Sequence, residues 1–302
     1  MRLTCVAFAS FVLAFAPKAH ADWPMARHDR LRSSTGDGSS RIDIPAAGWR
    51  RYLGGSLGNE QYLTFDVDGD RAPEVIFVMG GALLAKTPTD AVAWETEALD
   101  IFRIDGLHDL TGDGVPELIT SARAGRVHVV RPTDGAVLWS LPAGTVGNVG
   151  NVRFADLDGD SVLDLYLADA ACGSTGSLGD VGVAYSFAGS VGSPSTIFTL
   201  ERGRRDYVCG GNDTIVDIDG DGALEVIAQG INYFYIYSTI DGSLESQSES
   251  VGSIPYGLAV THAADVDGDG RVELVWWREN NYAPPVNSRR VFLMDWDTAT
   301  ST

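Results

Sequence analysis

The chain has few of the residues on which metal-dependent and nucleophilic enzymes rely. It contains three cysteines and five histidines among 302 residues, and no two histidines have the spacing of a zinc site. Helical periodicity of apolar residues is nearly absent, whereas 35 glycines favour tight turns. These absences predict an all-β chain and do not point to catalysis by a resident transition metal.

Positively charged side chains and long apolar runs are also scarce. Lysine and arginine number 22 against 41 aspartates and glutamates, so the formal charge is −19. A chain this acidic repels the phosphates of nucleic acids and anionic lipids, so we expect no nucleic-acid partner. Beyond the first residues no apolar run approaches the length of a membrane-spanning helix, so we expect no membrane span.

The N-terminus has the features of an export signal. Arg2 precedes an apolar run, Leu3 to Ala16, that is too short to span a membrane, and Ala19-His20-Ala21 is a small-x-small cleavage site. We therefore predict a signal peptide at residues 1–21 and a mature protein that is secreted, periplasmic or on the cell surface. An irregular lead-in is expected at residues 22–47.

Export also bears on the two cysteines that remain, Cys172 and Cys209. In an oxidising compartment an even pair favours a disulfide, and both lie in the longest interval between the acidic segments described next. We predict that they are bonded; two free buried thiols are the alternative.

The most informative feature of the chain is an acidic nine-residue pattern that occurs five times. Carboxylates occupy positions 1, 3, 5 and 9, and glycine occupies position 4, except that Thr111 replaces the acid at position 3 of the second copy. The copies are DVDGDRAPE from Asp66, DLTGDGVPE from Asp109, DLDGDSVLD from Asp156, DIDGDGALE from Asp217 and DVDGDGRVE from Asp265.

Alternating acids in a tightly curled loop can surround a cation with hard oxygens, the ligands that Ca²⁺ prefers. An EF-hand is excluded because its bidentate glutamate stands at position 12, where these copies have no acid. The second copy should bind most weakly. We predict up to five structural Ca²⁺ ions held by Asp66, Asp68, Asp70, Glu74, Asp109, Thr111, Asp113, Glu117, Asp156, Asp158, Asp160, Asp164, Asp217, Asp219, Asp221, Glu225, Asp265, Asp267, Asp269 and Glu273.

The spacing of the copies predicts the architecture. Their first aspartates lie 43, 47, 61 and 48 residues apart, which suits propeller blades of four strands each. Each copy is followed by a β-rich run, and hairpins with turns at Thr89-Asp90, Thr133-Asp134-Gly135 and Asp241-Gly242 follow in three repeats. We predict a β-propeller over residues 48–302 with five four-stranded blades, closed by strands from both termini; part of a seven-bladed ring is the alternative.

Three tryptophans occupy similar places in the repeats. Trp49, Trp94 and Trp139 precede the next acidic copy by 17, 15 and 17 residues. We expect them to pack between blades in their outer parts and not to serve as a platform for a ligand.

The iterated D-x-D-G-D-G-x-x-D/E pattern between strands resembles the FG-GAP or VCBS repeats of secreted bacterial proteins, which are related to integrin α-subunit propellers. The resemblance spans about Tyr62 to Trp296. It implies that the carboxylates named above bind calcium, and it favours a binding or adhesion module for an extracellular protein or carbohydrate. A polysaccharide lyase or glycoside hydrolase on the same scaffold is the alternative, because fold alone does not decide function.

Overall fold

The computed structural model describes residues 57–295 except for 59, 144, 148, 170–181, 201–212, 230–232, 249–257 and 281–287. Its described part consists of 19 β-strands joined by turns and loops, with no helix among these residues. The all-β prediction is therefore confirmed. No helix able to cross a membrane occurs over the same residues.

The strands form five antiparallel sheets, which we number in chain order. Sheet one contains β1 (Tyr62–Phe65), β2 (Glu74–Met79), β3 (Ala82–Lys86) and β4 (Val92–Glu95). Sheet two contains β5 (Ile101–His108), β6 (Glu117–Ala122), β7 (Arg126–Val130) and β8 (Val137–Ser140). Sheet three contains β9 (Val149–Ala155), β10 (Asp164–Asp169), β11 (Gly182–Ser186) and β12 (Ser195–Thr199). Sheet four contains β13 (Thr214–Val216), β14 (Glu225–Gln229), β15 (Phe234–Ser238) and β16 (Leu244–Gln247). Sheet five contains β17 (Leu258–Ala264), β18 (Glu273–Asn280) and β19 (Ser288–Asp295).

Within each sheet the strands follow one another as a simple meander. Each of the five acidic segments connects the first strand to the second, and its position-9 acid is the first residue of that second strand. Repetition of a four-stranded antiparallel unit is the construction of propeller blades. The predicted blade type is thus confirmed, whereas the chain ends that would show closure lie outside the described residues.

The core lies between consecutive sheets. Four apolar clusters join sheet one to two, two to three, three to four and four to five. The apolar residue at position 2 of an acidic segment enters these clusters, and in the first four segments it is buried. Val266, its counterpart in the fifth segment, is 51% exposed. Removal of apolar surface from water between the sheets is thus the main force holding them together.

The expected packing of the tryptophans between sheets is confirmed for two of the three residues. Nε1 of Trp94 in β4 donates to the carbonyl of Pro132, 2.9 Å away, in the β7–β8 hairpin of the next sheet. Trp139 in β8 packs against Tyr185 and Phe187 of sheet three at ring-centroid distances of 5.3 Å. Trp49 lies outside the described residues.

Polar side chains on the first strands, or directly before them, also connect neighbouring sheets, and each donates to a backbone carbonyl of the next sheet. Gln61 donates to the carbonyl of Phe102, Arg103 to that of Gly150, and Arg153 to that of Asp213, at 3.1 to 3.2 Å. Arg103 also forms an ion pair with Asp105 at 2.6 Å. Burial raises the pKa of Asp105 to about 6, although the Arg103 charge lowers it. These bonds fix the order and spacing of the sheets from which the acidic segments project.

The predicted signal peptide, the lead-in and the pair Cys172 and Cys209 all lie outside the described residues. The disulfide therefore stays a prediction.

Candidate metal centres

All five acidic segments share one pattern of hydrogen bonds at position 1. Asp66 accepts the amide of Gly69 on Oδ1 at 2.7 Å and that of Arg71 on Oδ2 at 2.9 Å. The amides of positions 4 and 6 bind the first aspartate of every other segment in the same way, at 2.6 to 3.0 Å. The carboxylate of the first aspartate therefore holds the loop in its curled shape by accepting these two backbone amides.

The acids at positions 3 and 5 form shorter-range versions of the same bond. In the fourth segment Oδ1 of Asp219 accepts the amide of Asp221 at 3.1 Å, and Oδ1 of Asp221 accepts that of Ala223 at 2.8 Å. The position-5 bond recurs in all five segments, at 2.7 to 2.9 Å. Only one oxygen of each of these two side chains is engaged in this bond, which leaves the second oxygen as a potential ligand.

The position-9 acid ties the end of the loop to its start. Oε2 of Glu225 accepts the amide of Ile218 at 2.9 Å, and the corresponding bond is present in every segment, at 2.6 to 3.0 Å. These five acids are buried, with exposures of 6% or less. Buried, charge-assisted bonds of this kind hold the acid at a fixed place beneath the loop.

The backbone needs glycine, or its equivalent, at two points of the turn. Position 4 is always glycine and has φ between 76° and 82°. Position 6 is also left-handed: it is glycine in three segments, but Arg71 has φ of 73° and Ser161 has φ of 71°. A left-handed residue with a side chain costs about 1–2 kcal/mol. The first and third loops therefore carry strain that the other three avoid.

The turn brings predicted ligands together in four of the five segments. Carboxylate oxygens of the fifth segment, one from each of its four acids, lie within 4.8 Å of one another. Three acids meet in this way in each of the first, third and fourth segments. The groups are Asp265, Asp267, Asp269 and Glu273; Asp66, Asp68 and Asp70; Asp156, Asp158 and Asp164; and Asp217, Asp219 and Glu225. Glu74, Asp160 and Asp221 belong to the same loops but lie outside these groups.

The second segment is different, as the change at Thr111 leads one to expect. No group of three acids within 4.8 Å of one another is found there among the described residues. The Thr111 hydroxyl turns back to Asp109 at 3.4 Å, and the Thr111 carbonyl accepts the amide of Gly189 from sheet three at 3.4 Å. The adjacent Gly112 faces the side chain of Val162 in the third segment. Contacts with the neighbouring sheet thus support this loop.

The raised pKa values of several of these acids show the electrostatic cost of bringing carboxylates together. Burial raises the pKa of Glu225 to about 7, and the charges of Asp219 and Asp217 raise it further. The hydrogen bond from the Ile218 amide acts in the opposite direction and lowers this pKa. Burial likewise raises the pKa of Glu117 to about 7 and that of Asp164 to about 6. Nearby carboxylates and burial both disfavour the charged form, and a bound cation would reverse that preference.

The donor set fits a hard divalent cation. It consists of carboxylate oxygens, with no sulfur and no imidazole, which is the preference of Ca²⁺ and Mg²⁺. Oδ1 of Asp164 is also buried and has no hydrogen bond of normal geometry, although the Ser186 hydroxyl is close enough to lower its pKa. An oxygen in that state is costly unless a further group compensates for it.

One acid near a site was missed by the sequence pattern. Burial raises the pKa of Glu245 in the fourth strand of sheet four, and the charges of Asp219, Asp221 and Asp241 raise it further. Glu245 therefore belongs to the negative field of the fourth loop. No local signal identifies it, because it stands 20 residues beyond Glu225 and approaches the loop only when the sheet forms.

The pKa shift of Glu225 predicts how pH acts on the metal-free protein. Its folded-state pKa lies above the ordinary 4.5, so the folded state keeps a proton that the unfolded chain loses. Stability from this group is therefore complete below pH 4.5 and is lost as pH rises through about 7. We expect the melting temperature in EDTA to decrease over this range, as measured by circular dichroism at fixed ionic strength.

Cation affinity should change in the opposite direction. A cation needs the ionised acid, so its affinity should rise with pH up to about 7, by up to about tenfold per pH unit for each proton released. Calorimetric titrations in buffers of different ionisation enthalpy would measure that proton release. A titration without proton release at pH 6 would show that the position-9 acids do not take part.

Comparison with known proteins supports the repeat type. Residues 109–167 and 217–276 match the family described as FG-GAP-like repeat, so each match begins at one acidic segment and ends in the strand that follows the next acidic segment. No curated protein matches the chain.

Solved structures with similar strand arrangements include the Vibrio cholerae biofilm matrix protein Bap1 (14% identity, 80% of this chain and 63% of that chain, TM-score 0.43). Moraxella catarrhalis BamB is similar at 11% identity over 76% of this chain and 60% of that chain, with a TM-score of 0.44. Saccharomyces cerevisiae Sqt1 gives 11% identity over 80% of this chain and 67% of that chain, with a TM-score of 0.47. The chain spans about three fifths of the first two.

Proposed function

We propose that this chain, which carries FG-GAP-like repeats, is an exported calcium-binding β-propeller that acts as a binding or adhesion module for an extracellular protein or carbohydrate. The observation that carries the proposal is the acidic loop itself. Four copies gather three or four carboxylates within 4.8 Å, each at the same place in its sheet. The signal peptide predicted at residues 1–21 favours export to a compartment in which calcium is abundant.

Calcium in this proposal is structural. The ligands in the first, third, fourth and fifth loops are the acid groups named above, and the bound ion supplies the positive charge that lets these carboxylates stay ionised together. The residues of the loop hold their own backbone through Asx-type bonds, and the position-9 acid connects the loop to the core. Ion binding therefore stabilises the sheets without any need for turnover.

The end of the sheets opposite the acidic loops offers a place for a ligand. A cavity of about 390 Å³ lies there between sheets two and three, lined by Phe102, Ala122, Arg123, Ala124 and Val149. It combines Phe102 with the exposed side chain of Arg123, in a protein that is otherwise strongly acidic. The Arg103 guanidinium lies over one face of the Phe102 ring, 5.6 Å from its centroid, so a sugar would stack on the other face. A carboxylate or hydroxyl group can accept hydrogen bonds from the Arg123 guanidinium.

A glycan array probed with the purified protein, with calcium and with EDTA, tests this proposal, and the bound glycans are then assayed for cleavage. Calcium-dependent binding without product is the expected result. If Arg123→Ala loses glycan binding and Arg126→Ala on the same hairpin keeps it, the cavity is the place where the glycan binds. Cleavage of a bound glycan would favour the polysaccharide-active alternative. Absence of glycan binding would leave a protein ligand, to be sought by crosslinking at the cell surface.

The second loop allows a separate prediction about the number of ions. Thr111→Asp restores the acid at position 3, so we expect calcium affinity at this loop to increase at least tenfold and one further ion to bind at micromolar calcium. Equilibrium dialysis measures the stoichiometry. Thr89→Asp adds the same charge on an exposed turn outside the loops and should leave it unchanged. Equal effects of the two variants would mean that general charge, not loop geometry, sets calcium binding.

A further inference from the structure

The second and third acidic segments touch each other across the boundary between sheets two and three. A Cβ added at Gly112, position 4 of the second segment, would lie 2.9 Å from Cγ2 of Val162, position 7 of the third. At position 4 of the other four segments, no described atom lies within 4 Å of such a Cβ. Val162 is half-buried, whereas Val115, at position 7 of the second segment, is 48% exposed. Among the described residues this contact therefore belongs to one boundary and not to the repeat in general.

Two further contacts connect the second segment to sheet three. The carbonyl of Thr111 accepts the amide of Gly189, in the β11–β12 hairpin, at 3.4 Å. Leu110, at position 2 of the second segment, is fully buried in an apolar cluster, and Leu163, at position 8 of the third segment, packs against the same cluster. The place of the third loop therefore depends on three consecutive residues of the second segment, 110–112.

Val162 lies inside the candidate metal centre of the third loop. Its amide donates to Oδ1 of Asp160 at 2.7 Å, and Asp164 follows two residues later. Asp164 is fully buried and belongs to the group of three acids of this loop, and its Oδ1 has no hydrogen bond of normal geometry. Such an oxygen needs a further partner, which a cation would supply. A displacement of Val162 would therefore disturb acids on which this centre depends.

The second segment keeps the shape of the repeat although it lacks part of the ligand set. Thr111 replaces an acid, and no group of three acids within 4.8 Å of one another occurs there among the described residues. Asp109 nevertheless accepts the amides of Gly112 and Gly114, at 2.8 and 2.6 Å, as the first aspartate does in every segment. A loop of fixed shape can support its neighbour without binding an ion itself.

We propose that the second acidic segment supports the third calcium site, and that the contact of Gly112 with Val162 positions the acids of that site. This proposal rests on the calcium sites proposed above and gives the second segment a role that needs no ion of its own. Gly112 and Val162 are positioning residues, because neither supplies a carboxylate. Calcium binding at the third loop and order in the second segment are then coupled, so each strengthens the other.

Hydrogen exchange of the full chain, followed by mass spectrometry of its peptides, resolves the loops individually. In the wild-type protein calcium should protect the amides of residues 156–164 and 217–225, and the concentration at half protection measures the affinity of each loop. Gly112→Ala should raise that concentration about fivefold or more for 156–164, because the added methyl group displaces Val162, and should leave 217–225 unchanged. Gly69→Ala is the matched control: it adds the same methyl group to a left-handed glycine of the first loop, with no described atom nearby, and should change neither value.

A double variant separates this contact from general damage to the protein. Val162→Ala removes the two methyl groups that face Gly112, so Gly112→Ala should weaken the third loop much less in that background. Additive effects of the two changes would overturn the proposal, as would wild-type affinity of the third loop in Gly112→Ala. If neither the third nor the fourth loop of the wild-type protein responds to calcium, the calcium sites themselves are refuted, and this proposal with them.

The wild-type protein gives a second readout, which does not depend on the folding of any variant. The amides of residues 109–117 should become protected at the same calcium concentration as those of 156–164, although the second segment gathers no group of three acids. Protection of 109–117 at an unrelated concentration, or no change there while the third loop responds, would show that the two segments are not coupled.

Discussion

Calcium is expected to raise the melting temperature of the metal-free protein by about 15 °C or more. An ion that binds only the folded state at 100 times its dissociation constant stabilises that state by about 2.7 kcal/mol. Four loops gather their carboxylates in the folded chain, so their combined effect is about 11 kcal/mol under the same condition. Differential scanning calorimetry after EDTA treatment and calcium addition measures the shift.

The fifth loop provides the best single-site test of this expectation, because all four of its acids meet. Asp269→Asn should remove much of one loop's contribution to the calcium-dependent shift. The control, Asp134→Asn, neutralises an exposed acid in a hairpin turn outside the loops and should keep the full shift. Magnesium should give a smaller shift, since it retains its water shell and prefers a compact octahedron. A melting temperature that is the same in EDTA and in calcium would refute the metal assignment.

Gly242→Ala is expected to destabilise the folded protein by about 3 kcal/mol, the sum of two effects. Gly242 has φ of 77°, a conformation that costs a residue with a side chain about 1–2 kcal/mol. A Cβ there would also collide with the backbone carbonyl of Thr199 in the fourth strand of sheet three. The backbone cannot rotate away as a side chain can, so the two sheets must separate slightly. Urea unfolding in saturating calcium measures the change.

Gly189→Ala separates the two effects. Gly189 has φ of 76° and lies in the corresponding hairpin of sheet three, but no atom lies within 4 Å of an added Cβ. This variant should therefore lose only the conformational part, about 1–2 kcal/mol. Equal losses for both variants would show that contact between sheets at Gly242 does not contribute.

Much of the fold could be predicted because its signals are local. The strand that starts at each position-9 acid and the hairpins at Asp90, Asp134 and Asp241 follow from residues within a few positions of one another. The first hairpin lacks glycine, yet Asp90 itself adopts φ of 68° and makes the turn. Aspartate tolerates this conformation better than most residues with a side chain.

The sequence predicts which residues make up the candidate sites, but not how the five loops differ from one another. The nine-residue pattern identifies the possible ligands, because alternation and a central glycine are properties of the loop alone. It does not say that all four acids meet only around Glu273, or that Glu245 joins the field of the fourth loop. Glu245 approaches that loop from the fourth strand of the same sheet, so its contribution depends on how the sheet folds.

The repeat, its strands and the chemical type of its loops follow from the order of the amino acids, since each is encoded within about ten consecutive residues. The packing of distant segments settles which loops converge, and it brings the second loop into contact with sheet three through Thr111. It also decided that Trp94 and Gly242 serve as contacts between sheets. The physical reason is that packing and burial act between residues far apart in the chain, where a local pattern carries no information.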